Sequence, residues 1–364
     1  MIEKNPRITL DDEERGIDAA PGSSAFLDWL WETSLIGDDG KRYWFGGSPL
    51  ILKQENIDVC TWELVTETGQ VKQDPYSIYK IADFCGENRS RRQTFPGGTH
   101  RVTRTAHEVT VELGCVRVVC HDDQSWTIHV DDPEKGFSAT LTHKPECFGP
   151  LWYGREEPSH LTQHSVAHGY NCCGRVEGDL TIDGRAIHVH GAGIRERYVA
   201  TDSSAAEIGG WEDWGWFHFD EAFGSMYDMR LGNKDQVVTL VDEGIYLPSG
   251  TLSIEHHEWA FMPRFGGFIP TVYKIRIETE TGALDMTAHA GNGRTWGVTG
   301  QCPDNPVATI QWDDVNGTFT YADGTVKQLH NGFGSMSIRQ WRAYPSLIPP
   351  FSTDLHLEER FTTL

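Results

Sequence analysis

The chain has 364 residues, 53 acidic against 31 basic, for a formal net charge of -22. A negative field of that size repels phosphate backbones and anionic headgroups, so neither nucleic acid nor a membrane surface is expected as a partner. Eight cysteines without a regular framework, no basic-then-apolar leader and no apolar run of about 18 residues together predict a cytoplasmic protein with free thiols and no membrane insertion.

Residues 1–22 are polar, carry the run Asp11-Asp12-Glu13-Glu14 and reach Pro21-Gly22, which predicts an arm lying over the first domain or loose in solvent. Beyond them the punctuation is that of strands. Segments 107–113, 116–119 and 127–130 alternate or concentrate β-branched residues, and Asp183-Gly184 is a two-residue hairpin signal inside 179–190. The second half repeats the pattern at 274–280 and 318–330, with Asp323-Gly324 as its turn. No stretch sustains helical periodicity, so the expected class is all-β with few, short helices.

The two halves echo one another. Asp28-Trp29-Leu30-Trp31 returns as Asp213-Trp214-Gly215-Trp216, each followed about a dozen residues later by a tyrosine, Tyr43 or Tyr227. The ends correspond too, with Asp183-Gly184 and Gly191-Ala192-Gly193 answered by Asp323-Gly324 and Gly332-Phe333-Gly334. The expected division is an arm (1–22), a first β domain (23–205) and a second (206–364), related by internal duplication.

This order of signals resembles the lipocalin-like superfamily of carotenoid 1,2-hydratases (hydroxyneurosporene synthases), AttH-like proteins and fungal Diels-Alderases. Phe26 to Trp31 and Asp39-Gly40 through Phe45 are similar to the family's opening, and Gly191-Ala192-Gly193-Ile194-Arg195-Glu196 is similar to the front of its Gly-x-Gly-x-Arg-Asp-His-x-Trp-Gly motif. The match stops there, because Arg197, Val199 and Ala200 stand where the family has His, Trp and Gly. The resemblance implies two lipocalin-like β-barrel or β-sandwich domains with a hydrophobic ligand between them, and chemistry by alkene protonation, hydration or cyclisation.

Segment 211–221 is dense in aromatic and ionisable side chains. As a strand it turns Trp211, Asp213, Gly215, Phe217 and Phe219 to one side, and Trp214, Trp216, His218 and Asp220 to the other. The second face reads either as the wall of a reactive cavity, where indole π faces favour cations, or as the core of a domain interface. Asp228, after Tyr227 on the next strand, is the preferred proton donor. Glu196 is the other, and beside Arg195 it reads equally as an ion pair pinning the domains together. His160, His164 and His168 recur every fourth residue; on a helix that spacing suits a metal, but on a strand neighbours stand about 13 Å apart. Cys172-Cys173 is not a redox motif, and Gly191-x-Gly193 lacks the third glycine of a dinucleotide loop.

The expected function is a cofactor-independent lyase, isomerase or cyclase. It acts on an apolar terpenoid-like or polyketide-like molecule by acid-assisted hydration, dehydration, isomerisation or cyclisation. Trp31, Trp214 and Trp216 form the wall; Asp228 or Glu196 moves the proton; Tyr227 and His218 orient or relay it; and Asp220, Arg195 and His168 touch substrate. The rivals are a hydrophobic-ligand carrier and a metal-dependent hydrolase using His160, His164 and His168. Partners are limited to the small apolar substrate, with a homodimer left open.

Overall fold

The computed structural model describes residues 8–66, 69–75, 78–84, 88–148, 159–160, 166–202, 211–229, 234–247, 250–263, 267–296 and 307–340. In chain order, helix α1 (Leu10–Glu14) precedes β1 (Phe26–Gly37), β2 (Arg42–Leu52), β3 (Ile57–Val65), β4 (Gln70–Gln73), β5 (Lys80–Asp83), β6 (Asn88–Pro96), β7 (Arg101–Arg104), β8 (Glu108–Leu113), β9 (Val116–His121), β10 (Trp126–Asp132), β11 (Phe137–Phe148), β12 (Ser159–His160), β13 (Val166–Ile182) and β14 (Arg185–Asp202). The second half supplies β15 (Trp211–His218), β16 (Ala222–Met229), β17 (Lys234–Leu240), β18 (Ile245–Leu247), β19 (Thr251–Met262), β20 (Gly267–Thr279), β21 (Gly282–Trp296), β22 (Val307–Tyr321) and β23 (Val326–Gln340). The fold is all-β, as expected, and no described helix is long and apolar enough to cross a membrane.

The turns form where the sequence demands a left-handed backbone. Asp183 (φ 51°) and Gly184 (φ 79°) close the β13–β14 hairpin, and Gly40 (φ 75°) and Gly324 (φ 88°) sit in the turns after β1 and β22. Strands such as β8 bury alternate residues, Val109, Val111 and Leu113, and expose the rest to varying degrees.

Two large sheets curl round separate cores. One runs β6-β3-β2-β1-β14-β13-β11-β10-β9-β8-β7, and the other β18-β17-β16-β15-β23-β22-β21-β20-β19-β5-β4. In each, the opening strand of its half pairs antiparallel with the closing one, β1 with β14 and β15 with β23, so the sequence echo marks equivalent strands. The hairpin β4–β5 breaks the symmetry. It belongs to the first half by sequence, yet β5 pairs in parallel with β19, Lys80 Nζ lies 2.6 Å from Glu258, and Ala82 and Phe84 join the second core. A cut at residue 205 therefore does not separate the sheets.

The arm, from residue 8 on, is built into the first barrel. Thr9 donates to the Asp12 carboxylate (2.8 Å) and starts α1; Ile8 and Leu10 enter the core; and Glu13 is buried, accepting from Trp126 Nε1 (3.0 Å) and from the Tyr170 hydroxyl.

The barrels meet through an apolar seam containing Leu30, Trp44, Val65, Cys147, Cys173, Ile194, Trp214, Trp216, Phe223, Tyr227 and Val237. A buried carboxylate is among the polar ties that cross it. Buried Glu32 of β1 accepts from Ser335 Oγ (3.0 Å), Thr309 Oγ1 (3.3 Å) and Ser337 Oγ (3.5 Å) of the second sheet. Glu32→Ala removes the buried acceptor of Ser335 Oγ, while Thr309 Oγ1 and Ser337 Oγ keep each other at 2.8 Å, so urea denaturation should show a loss of about 1–3 kcal/mol; an unchanged midpoint would mean that the tie contributes nothing.

Candidate active site

Strand β15 alternates as its sequence predicts. Phe217 packs in the second core with Phe219 just beyond the strand, whereas Trp214 and Trp216 lie in the seam. Trp214 is interface core, its Nε1 directed at Asn171 Oδ1 (3.4 Å). Trp216 sits 6.4 Å from Trp44 and meets Phe333 edge-on at 5.9 Å. Phe333 carries the apolar seam to the floor of an open cleft.

That cleft, about 640 Å³, runs between the barrels and is lined from both. The first barrel contributes Arg42, Glu146, Arg175 and His190, and the second His218, Asp220, Phe223, Asp313 and Phe333. The His218 ring stacks on Phe223 (5.9 Å, 10°) and on Phe333 (5.1 Å, 27°). Burial between these rings pushes its pKa down to about 4, so the imidazole is neutral at physiological pH, with a buried Nδ1 that no group among the described residues meets.

Asp313 stands in an irregular stretch of β22, between Trp312 and Val315, which turns its carboxyl toward the seam. Burial raises its pKa, and Arg42, whose Nε is 3.8 Å away, together with the Trp44 indole, offsets only part of that. Arg42 is held by Ser34 Oγ (2.6 Å) and lies 5.1 Å over the Phe333 ring. Glu146, raised by burial as well, pairs with Arg175 at 2.6 Å. The cleft thus combines an apolar aromatic floor, a carboxyl that holds its proton to higher pH than usual and a neutral imidazole, the opposed pKa shifts that separate an acid from a base.

The structure brings together part of the expected site. His218 and Asp220 line the cleft, Trp216 borders it through Phe333, and Tyr227 and Trp214 are buried in the seam. Trp31 does not join them: it is wholly buried inside the first barrel. Although β1 and β15 are equivalent strands, Trp29 and Trp31 face inward and Trp214 and Trp216 outward, because a one-residue offset reverses every side chain.

Asp228 also lies elsewhere. It pairs in register with Asp213, shares the inward face of Met226 in the second barrel, and is bound by Lys234 at 2.6 Å, while Asp213 meets His256 at 3.1 Å. Arg195 points into the first barrel and half-buried Glu196 to the opposite face of β14, so the two do not pair with each other. His168, half-buried, has Nδ1 3.3 Å from Arg15 Nη1. His160 lies on β12, paired with Val166, and His164 lies outside the described residues; no metal-binding group of three is present among those described. Sequence reasoning missed Arg42, Glu146, Arg175, Asp313 and Phe333. Only Phe333 had a signal, its place in Gly332-Phe333-Gly334.

No family model and no curated protein matches the sequence. Solved structures do match in fold. An AttH-like protein from Nitrosomonas europaea superposes with a TM-score of 0.57 at 14% identity, covering 93% of this chain and 98% of its own. Kievitone hydratase from Nectria haematococca gives 0.53 at 11%, covering 92% and 93%, and CghA with Sch210972 gives 0.54 at 11%, covering 87% and 89%. The chain has the two-barrel, lipocalin-like fold of these AttH-like, kievitone hydratase and CghA structures.

Proposed function

We propose that the cleft binds a largely apolar small molecule and moves a proton on it without a cofactor, in a hydration, dehydration, isomerisation or cyclisation. The observation that carries this reading is that one cleft is lined both by Asp313, a carboxyl made a better proton holder by burial, and by neutral His218 on the Phe223 and Phe333 floor. Asp313 donates the proton to the alkene or leaving group. His218 takes a proton from water or substrate, and the aromatic faces shelter the cationic character that develops between these steps. Arg42 keeps Asp313 oriented through its bond to Ser34 and its position over Phe333. Kievitone hydratase and CghA with Sch210972 on the same fold support a small-molecule substrate, which on this reading is terpenoid-like or polyketide-like.

The test begins with native mass spectrometry and extraction of freshly purified protein. The extracted molecule, returned to the enzyme in D2O, should gain deuterium at carbon or change by the mass of water. A ligand that binds and is released unchanged would instead establish a carrier.

A further inference from the structure

The inside of the first barrel, on the other side of the sheet from the cleft, holds a buried guanidinium whose N–H groups the described side chains leave partly unbonded. Arg195 is fully buried there, its guanidinium 4.7 Å from the Trp126 ring and 5.6 Å from Tyr170. Its Nη2 donates to the Gln124 carbonyl, but Nε and Nη1 meet no acceptor among the described residues. Neighbouring Arg197 is different. It donates to the carbonyls of Glu13 (3.1 Å), Asp28 (3.2 Å), Tyr198 (2.8 Å) and Arg15 (2.6 Å) and stacks 3.8 Å over Trp29, which makes it the fastening of the N-terminal arm.

Of the carboxylates buried in the described interior, Asp132 and Asp58 are taken up by Arg91 and His100 (2.9 Å), which leaves Glu13, whose Oε2 is itself unpaired, to face these two cations. Burial keeps Tyr170 and Cys120 protonated, and His143, whose Nδ1 is also unpaired, is held neutral by burial and by Arg195. Asp28 sits on the outer face of β1, and Asp123 at the mouth is exposed and bonded to Ser125. A buried charge without a partner is costly, and a guanidinium with free N–H groups between aromatic walls is a receptor for an oxyanion.

We propose that the first barrel contains a second ligand site, distinct from the cleft, that takes the carboxylate of a small organic acid on Arg195, with helix α1 as its cover. Glu13 enters the site from that cover and acts as an internal competitor for Arg195. Trp126 and Tyr170 give the site its aromatic walls.

Isothermal titration of the full chain with benzoate, and with benzamide as the neutral isostere, tests this. Benzoate should bind and benzamide should not. Arg195→Gln should weaken benzoate by about tenfold or more, and Glu13→Gln, which removes the competing charge and retains an acceptor for Trp126 and Tyr170, should tighten it several-fold. The second variant decides the matter even if the first fails to fold. Equal binding of both compounds, no benzoate binding, or Glu13→Gln leaving affinity unchanged would overturn the proposal. Arg175→Ala, in the cleft, should leave benzoate binding intact; its loss there would place the anion in the cleft and equally overturn it.

Discussion

Asp313→Asn is expected to slow proton transfer to the cleft ligand by about 10²–10⁴-fold while the protein stays folded. The amide matches the carboxyl in shape and can still accept from the Trp44 indole, but it has no proton to give. Arg42 remains bonded to Ser34 and partly open to solvent, so losing its partner at 3.8 Å strands no buried charge. The pH profile should carry the same signature. Activity requires Asp313 protonated, so it falls as pH rises, at a pH higher than an unperturbed aspartate would give. It also requires His218 neutral, so it falls again on acidification toward about 4. Rates in D2O across pH, with ligand affinity measured in parallel, check both limbs; an Asp313→Asn enzyme with unchanged turnover would remove the acid from the mechanism.

Asp28→Asn should stabilise the protein at neutral pH and do little in acid. Burial on the outer face of β1 raises the Asp28 pKa from 3.8 to about 7, and the bond from Ser48 and the charge of Arg197 only partly counter it. The folded state therefore binds a proton more tightly than the unfolded chain. Stability from this residue is full below pH 3.8 and is lost as pH rises toward 7, by about 4 kcal/mol in all. The asparagine variant escapes that loss. Its advantage in chemical denaturation should grow by about 3 kcal/mol between pH 5 and pH 8. A constant difference across that range would show that Asp28 titrates normally. His143 and His218, held neutral with pKa values pushed down to about 3 and about 4, oppose this trend below pH 6.5 in both proteins and so cancel from the comparison.

Strand periods and turns were legible because both are local. Asp183, Gly184 and Gly324 adopt the left-handed backbone that only a few residues tolerate, and 211–221 turns its two faces as alternation requires. The echo located equivalent strands for the same reason, since each opens its half beside the last strand of that half. It failed at the level of faces. Equivalence of position does not transfer orientation across a one-residue offset, so Trp31 went to a core and Asp228 to the inside of the second barrel.

What the sequence by itself determined is the all-β class, the turns, the aromatic face of β15 and the place of His218 on that face. Tertiary structure alone decided which residues form the site, because the cleft is assembled from strands hundreds of positions apart. Arg42 reaches Asp313, and Glu32 reaches Ser335, only once two curled sheets have set their relative register. The same holds for charge. Whether Asp313, Asp28 or His218 is perturbed depends on the desolvation that neighbours from other elements impose, and no local spacing encodes that.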